Sequence, residues 1–586
     1  MPTKTELIWD GKYDEKGDRV APLRVALPFQ TVETVNESAQ DRQLNLFQAA
    51  SKTKPWRNRL IWGDKKYVLP SLLPEFAGKV DLIYIDPPFD TGADFSFTAA
   101  VPETDEVQTE PVSFTKQPSI IEQKAYRDTW GRGIDSYLEW FYETVCLLHE
   151  LLDEEGSLYV HLDWHVAHYA KAVLDEVFGR DNFRNQVVWK RSSIVASVPT
   201  QWRNSHDIIL FYTKSLDNQF NMQYGEYSES SKKHYSHEDE NGFFQPVPIL
   251  ASGKRNGETG KPWRGIDPNN VGNHGMHWLR APSKLEELDK QGMIYWPSGG
   301  GVPRLKYYLE EAKGRIINDF WDDINVINSM GKESFRYSTQ KPQALLERIV
   351  KASSNEGDLV LDCFVGSGTT TAVAEELNRR WIACDLSRFA IHTTRKRLLG
   401  IHDVRPFVVQ NLGKYERQAW QAGEFGQGND AAGQAVERQR AYVAFILELY
   451  HATPVHGYTW VHGLKRGRMV HVGSVDAPVS AGDVTQIAAE FKRAVGTGKD
   501  APTTNGVDVL GWDFAFEINE IARQQAAAAN IGMQFKRIPR DVMDKRAVEQ
   551  GEIHFFELAA LGVKVKSSGL TAALTLTEFV IPPDDV

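Results

Sequence analysis

Cysteine is scarce: Cys146, Cys363 and Cys384 are the only three in 586 residues. They are odd in number, far apart and without a C-x-x-C pair. That excludes a disulfide framework and a cysteine zinc site, and it points to a reducing compartment such as the cytoplasm. No apolar run approaches the roughly 20 residues that span a bilayer. The N-terminus, MPTKTELIWDGKYDEKGDRV, has no apolar core and no cleavage pattern, so no secretory signal is expected. Positive charge is not in excess either, the formal net charge being −11. This balance counts against a nucleic-acid partner without excluding one, because only the charge of a local groove governs steering. There is no internal repeat.

A chain of this length allows roughly two to four domains. Residues 1–55 are polar and weakly patterned, which predicts an irregular N-terminal arm. RLIWGD (59–64) reads as a strand, followed by a helix to about residue 75 and a strand at DLIYI. Residues 93–130, rich in Thr, Glu, Pro and Gln, predict a long mobile loop. A helix at 137–156, a strand at SLYVHLD, a helix at 166–179 and strands at QVVWKR and DIILFYT follow. Such alternation predicts an α/β fold with a parallel sheet covered on both faces.

Between about 215 and 335 the alternation fails. KRNGETGKPWRG, NHGMHWLRAP and MIYWPSGGGVPRLKYY interleave basic residues with flat aromatics. That composition suits phosphates and bases, or else the aromatics form the small core of an irregular domain. Periodicity returns in KPQALLERIVKASS (341–354). Residues 401–440 contain QAGEFGQGNDAAGQ and read as a linker, and 441–586 as an accessory α/β domain.

Two motifs carry chemistry. In DLIYIDPPFDTG (81–92) a short buried strand ends in an acid, two prolines and an aromatic. Two prolines remove two backbone donors and stiffen the chain, so the acid and the carbonyl beside it form a rigid accepting edge. In VLDCFVGSGTTT, Gly366 and Gly368 lie between a strand and a helix, and Asp385 ends the next strand about 20 residues on. Glycines there admit a ligand close to the backbone, and the acid suits ribose hydroxyls. The dinucleotide fingerprint asks for a third glycine where this chain has Thr371. The turn therefore fits a ligand with an adenosine and no pyrophosphate, such as S-adenosylmethionine.

In an open parallel sheet, ligands bind beyond the carboxyl ends of strands at a switch point, so both motifs could face one crevice. The side chain of Asp86 and the carbonyl of Pro87 can then accept both N–H bonds of an exocyclic amine. The amine lone pair would face a sulfonium methyl for an in-line displacement governed by positioning. Phe89 would stack on a base flipped out of its duplex.

DPPF, FVGSGTT and their order resemble the β group of amino-methyltransferases acting on DNA, most of all adenine methyltransferases akin to the modification subunits of type III restriction systems. DPPFDTGADF, NFRNQVVWKR, YWPSGGGVPRLKYYL and STQKPQALLERIVKASS also look like family segments, over about 59–400. The resemblance implies a Rossmann-like S-adenosylmethionine-dependent methyltransferase sheet, α/β in class. Its catalytic half would be 56–214, its inserted target-recognition region 215–335 and its cofactor-binding half 336–400. It makes Asp86, Pro87, Pro88 and Phe89 catalytic. Asp362, Phe364, Gly366, Gly368 and Thr369 become the cofactor turn, Asp385 the ribose acid and Asp64 a neighbour of the adenine. Gln340, Lys341 and Pro342 fall beside the methionine end. Cys363 replaces the usual proline, and Phe89 the commoner tyrosine. Asp at position 86 favours adenine-N6 over cytosine-N4, the alternative within the class. The implied partners are double-stranded DNA, a restriction subunit and a second copy of the chain.

Other signals are weaker. His161, Asp163, His165 and His168 suggest metal ligands, but their spacing matches no zinc signature. Asp508 with Gln534-Phe535-Lys536 resembles a nuclease acid with its Q-x-K, yet a helical stretch separates the two, so a βαβ unit with a solvated lysine is expected. A nicotinamide-dependent oxidoreductase would leave DPPF unexplained. A non-catalytic DNA-binding module would not need the intact acid, prolines and glycines.

Overall fold

The computed structural model describes residues 6–37, 56–88, 97–100, 113–116, 133–191, 202, 204–227, 232–310, 314–327, 333–335, 337, 339–425, 431–496, 501–515 and 530–543, with shorter pieces from there to 580. By its contacts it divides into one unit of residues 1–220 with 321–586 and a second unit of 221–320.

The first unit is built on a ten-stranded sheet. Nine of its strands are β1 (Gln30–Val35), β2 (Asn58–Trp62), β3 (Val80–Ile85), β4 (Leu152–Leu162), β5 (Phe183–Lys190), β6 (His206–Thr213), β7 (Leu359–Asp362), β8 (Arg380–Asp385) and β9 (Phe407–Asn411). They run in the order β1-β9-β2-β8-β7-β3-β4-β6-β5. From β9 to β4 every pairing is parallel. Parallel strands are covered on both faces, and accordingly β3 and β7 are nearly continuous runs of buried residues.

The flanks correct the expectation of a wholly parallel sheet. β6 pairs antiparallel with both β4 and β5, and β1 antiparallel with β9. β5 and β6 thus run as antiparallel neighbours. The arm expected to be irregular thus contributes an edge strand. Of the expected mobile loop, the described residues Phe97–Ala100 and Ser113–Lys116 pair as a two-stranded ribbon.

Helices pack on the sheet through apolar stripes. In α2 (Ile134–Leu151), Tyr137, Phe141, Val145 and Leu148 share one face and are fully buried. Each such side chain contributes roughly 1.5–3 kcal/mol on leaving water. α1 (Lys65–Phe76) starts at Asp64, whose carboxylate accepts from Lys66 N at 2.8 Å as an N-cap.

The 401–440 linker is also corrected. β9 lies inside the sheet, and Arg405 reaches the buried Glu375, which also accepts from Asn58 and Trp381. α7 (Gly413–Phe425) then buries Glu416 and Trp420. The glycines and glutamines of this segment masked a helix whose tryptophan packs with Tyr442 and Trp512.

The described residues of 441–586 include both strands and helix. β10 (Gly463–Lys465) and β11 (Arg468–Val472) form a hairpin, and β12 (Gly506–Gly511) and β13 (Gly532–Arg537) extend it as parallel strands. The helix α8 (Ala431–Leu449) precedes the hairpin, and α9 (Ala481–Ala494) packs on its own apolar cluster with β11 and β12. Asp508 stands directly opposite Gln534 on adjacent strands, so the two are neighbours and not separated as their sequence spacing implied.

The second unit, 221–320, contains a four-stranded antiparallel sheet. Trp263 and Trp278 meet edge-on in its core, ring centroids 5.7 Å apart. Several basic residues here are paired within the unit, Arg264 with Glu286 and Lys306 with Asp239. The aromatic content of this region therefore builds a core as well as a surface.

Candidate active site

β3 and β7 are adjacent, Val360 opposite Leu82 and Leu361 opposite Ile83. From β7 the sheet continues to β8, and from β3 in the other direction to β4. The strand order reverses between them, which opens a crevice at their carboxyl ends. Asp86 follows β3 and Asp362 closes β7. Both face a cavity of about 730 Å³ whose wall also includes Asp64, Pro88, Lys341, Phe364, Gly366, Thr369 and Asp385. The two motifs thus border one cleft.

The geometry of Asp86 is specific. Its Oδ2 is ion-paired with the Lys341 ammonium. Its Oδ1 is buried with no hydrogen-bond partner. A buried carboxylate oxygen without a donor costs free energy, so the site is complementary to a donor that a ligand brings. Pro87 is buried and Pro88 lines the cavity, while Phe89 lies outside the described residues.

Behind Asp86, Tyr84 Oη lies 2.9 Å from His161 Nδ1, and His161 Nε2 lies 3.2 Å from Asp207. His161 therefore belongs to a buried polar chain, while His165 bonds to Asp163. Among the described residues no three such groups converge as metal ligands.

The glycine turn is held from below. Asp362 accepts from Phe364 N at 2.9 Å and from Thr370 Oγ1 at 2.6 Å. Gly366 (φ +51°) donates to Asp385 Oδ2 at 2.9 Å, and Gly368 (φ +77°) caps α5 (Thr369–Glu376). Thr369 Oγ1 donates to the Lys341 carbonyl at 3.2 Å. Gln340 bonds to Phe335 N and the Glu333 carbonyl, and Pro342 starts α4 (Gln343–Ser353). Lys341 is thereby placed by neighbours on both sides.

Burial pushes the Asp362 carboxyl up to about 7, with the charges of Asp86 and Asp385 adding to it and the two hydrogen bonds opposing it. The folded chain therefore holds this proton more tightly than the unfolded chain, where an aspartate titrates near ~3.9. Stability is expected to fall as pH rises from ~4 to about 7. Asp362→Asn should flatten that slope in denaturant titrations across the range.

Several wall residues escape sequence reasoning. Lys65 is buried with its ammonium 4.1 Å from the Trp140 ring centroid, and burial lowers its pKa. The Tyr337 ring stands beside Gly366, 3.4 Å from where a Cβ would lie. Glu416 of α7 and Arg540, beyond β13, are ion-paired and both line the cavity. Burial raises the Glu416 carboxyl, and the Arg540 charge opposes the rise. Arg540→Met should leave that acid buried without its cation. A destabilisation of about 3 kcal/mol is expected in chemical denaturation, with weaker methyl-donor binding by calorimetry.

The profile of a family described as DNA methylase matches residues 80–396, which hold both motifs. The chain belongs to this family. Type II methyltransferase M.EcaI of Enterobacter cloacae is 35% identical over 359 residues, covering 61% of this chain and 73% of that protein. The Mod subunit of the type III restriction-modification enzyme StyLTI of Salmonella typhimurium is 26% identical over 371 residues, covering 60% and 56%. The EcoP15I Mod subunit of Escherichia coli is 24% identical over 413 residues, covering 62% of each. The match thus spans less than two thirds of either Mod subunit.

The family draws its methyl group from S-adenosylmethionine, and the cavity of this DNA methylase suits that ligand. Eight acids and four bases line it, which favours a cationic sulfonium over a dinucleotide with two phosphates. Gly366, at positive φ, lines the cavity and brings the chain close to the ligand space, as an adenosine site requires. Among the described residues no helix is long and apolar enough to cross a membrane.

Proposed function

We propose that this DNA methylase transfers a methyl group to the exocyclic N6 of adenine within a specific DNA sequence, as the modification component of a restriction-modification system. The observation that carries the reading is the partnerless Oδ1 of Asp86 in the cavity wall. An exocyclic amine is a donor of the kind this oxygen lacks.

When bound, S-adenosylmethionine supplies a methyl group activated on a sulfonium. Asp64, Phe364, Gly366, Gly368, Thr369 and Asp385 would hold it, with Asp362 bracing the turn. Asp86 Oδ1 and the Pro87 carbonyl accept the two amine hydrogens. Drawing both hydrogens to one side favours a pyramidal nitrogen with its lone pair exposed. Lys341 fixes the rotamer of Asp86 through Oδ2, so little reorganisation accompanies the reaction. The proton leaving the methylated nitrogen has Oδ1 as its acceptor. Pro88 and Phe89 would contact the base, which must first leave the duplex stack.

Cytosine-N4 presents a similar amine to the same edge; the resemblance of an Asp-led motif to adenine enzymes favours N6. Residues 215–335 would read the target sequence. A restriction subunit and a second copy of the chain are the proposed protein partners, and the cytoplasm the compartment. Mass analysis of nucleosides from DNA incubated with the protein and S-adenosylmethionine tests the reading. N6-methyladenine is expected, and 4-methylcytosine alone would refute it.

A further inference from the structure

A second cavity, of about 380 Å³, lies in the C-terminal sheet, and its wall includes Tyr450, Lys465, Arg466, Arg468, Asp508 and Lys536. The strand pattern explains the grouping. Arg468 lies two residues from Val470, Val470 pairs with Asp508, and Asp508 pairs with Gln534, two residues from Lys536. Alternation puts all of these on one face of the sheet. Lys465 and Arg466 come from the β10–β11 hairpin, whose strands close on the pair Lys465–Arg468.

The charges do not balance. Asp508 is the one acid in the wall, and both its oxygens are engaged. Oδ1 accepts from Arg468 Nε at 2.6 Å and Oδ2 from Tyr450 Oη at 2.7 Å. Among the residues whose side chains are described, Lys465, Arg466 and Lys536 form no ion pair with an acid, and Glu557 is the strand partner of Lys536. Burial lowers the Lys465 pKa, and the charges of Lys536 and Arg466 lower it further. Like charges are gathered here in a chain whose net charge is −11.

The hairpin turn adds an independent observation. Arg466 (φ +48°) and Gly467 (φ +80°) are both left-handed, the geometry of a two-residue turn that favours Asn-Gly or Asp-Gly. An arginine in the first place strains the backbone. Repulsion and strain both weigh on the pocket, and an anion between the three cations relieves the repulsion. The aromatic surface narrows the ligand further. Lys465 Nζ covers the Tyr450 ring at 3.7 Å, and Phe555 packs edge-on against it at 4.9 Å between centroids. Little open ring face is left for a nucleobase, so the cations address phosphate alone.

We propose that this pocket is a second DNA contact, taking backbone phosphate through Lys465, Arg466 and Lys536 independently of sequence. The inference rests on DNA being the substrate and not on which base is methylated. It gives residues 441–586 the role of anchoring the duplex outside the methyl-transfer cleft.

The test uses the full chain and a mixed-sequence duplex in anisotropy titrations over a salt series. Arg466→Asn removes the charge and suits the turn, so it should fold at least as well as the parent. DNA affinity should fall several-fold at low salt, and the slope of log affinity against log salt should shrink by about 0.9 for the phosphate lost. Adding Lys536→Gln should deepen both effects. Unaltered affinity and slope in the single and the double variant would overturn the proposal. So would inorganic phosphate or a mononucleotide raising the parent's Tm but not the variant's while DNA affinity stays equal, since the pocket would then serve a free phosphate compound. Failure to detect N6-methyladenine would refute the catalytic reading and leave the salt slopes interpretable.

Discussion

Asp86→Ala is expected to lower the methyl-transfer rate by at least roughly 10²–10³-fold, the loss typical of removing one preorganised hydrogen-bonding group from a reacting centre. Binding of S-adenosylmethionine should change only a few-fold, because the turn that would hold the cofactor is fixed by Asp362, Thr370 and Asp385. Single-turnover kinetics with calorimetry on the same sample separates the two effects. Asp86→Asn should be nearly as damaged despite its matching shape. The Lys341 ammonium is a donor and claims the amide oxygen. The amide NH₂ is then left facing the substrate amine, donor against donor. Substantial turnover in either variant would contradict the role assigned to Oδ1.

Gly368→Ala should be equally severe by a different route. At φ +77° an L-residue is strained, at a cost of roughly 1–2 kcal/mol. A Cβ there would also stand 2.8 Å from Thr394 Cγ2 and 2.9 Å from its Cα, closer than real contacts allow. Overpacking of that kind adds roughly 1–3 kcal/mol. The combined loss should appear as a lowered Tm together with lost cofactor binding. Gly366→Ala is the control, since its Cβ would meet only the Tyr337 ring, at 3.4 Å. It should be milder in stability. A Gly368→Ala protein with unchanged Tm and cofactor affinity would show that the turn tolerates a side chain.

The two motifs are legible in the sequence because their constraints are local. A buried β run that stops at an acid and two prolines, and a strand-glycine-helix turn followed by a spaced acid, each imply their own backbone. Residues 401–440 are misread for the opposite reason. Their composition is that of a loop, and they are ordered by what they meet elsewhere: Arg405 by Glu375, Trp420 by Tyr442 and Trp512. The antiparallel placement of β6 also escapes alternation patterns, because a strand buried on both faces reads the same in either direction.

What the sequence by itself determined is the set of groups at the site: the acid, the stiff prolines, the two glycines and the spaced acid, with the strands that carry them. Only the tertiary structure decided that Lys341 meets Asp86, leaving one carboxylate oxygen without a donor, and that Arg540 closes the cavity wall with Glu416. It likewise gathered Lys465, Arg466, Arg468 and Lys536 into one cavity wall with Tyr450. Such pairings join residues far apart along the chain, and they form only once burial of the strands between them has fixed where each side chain stands.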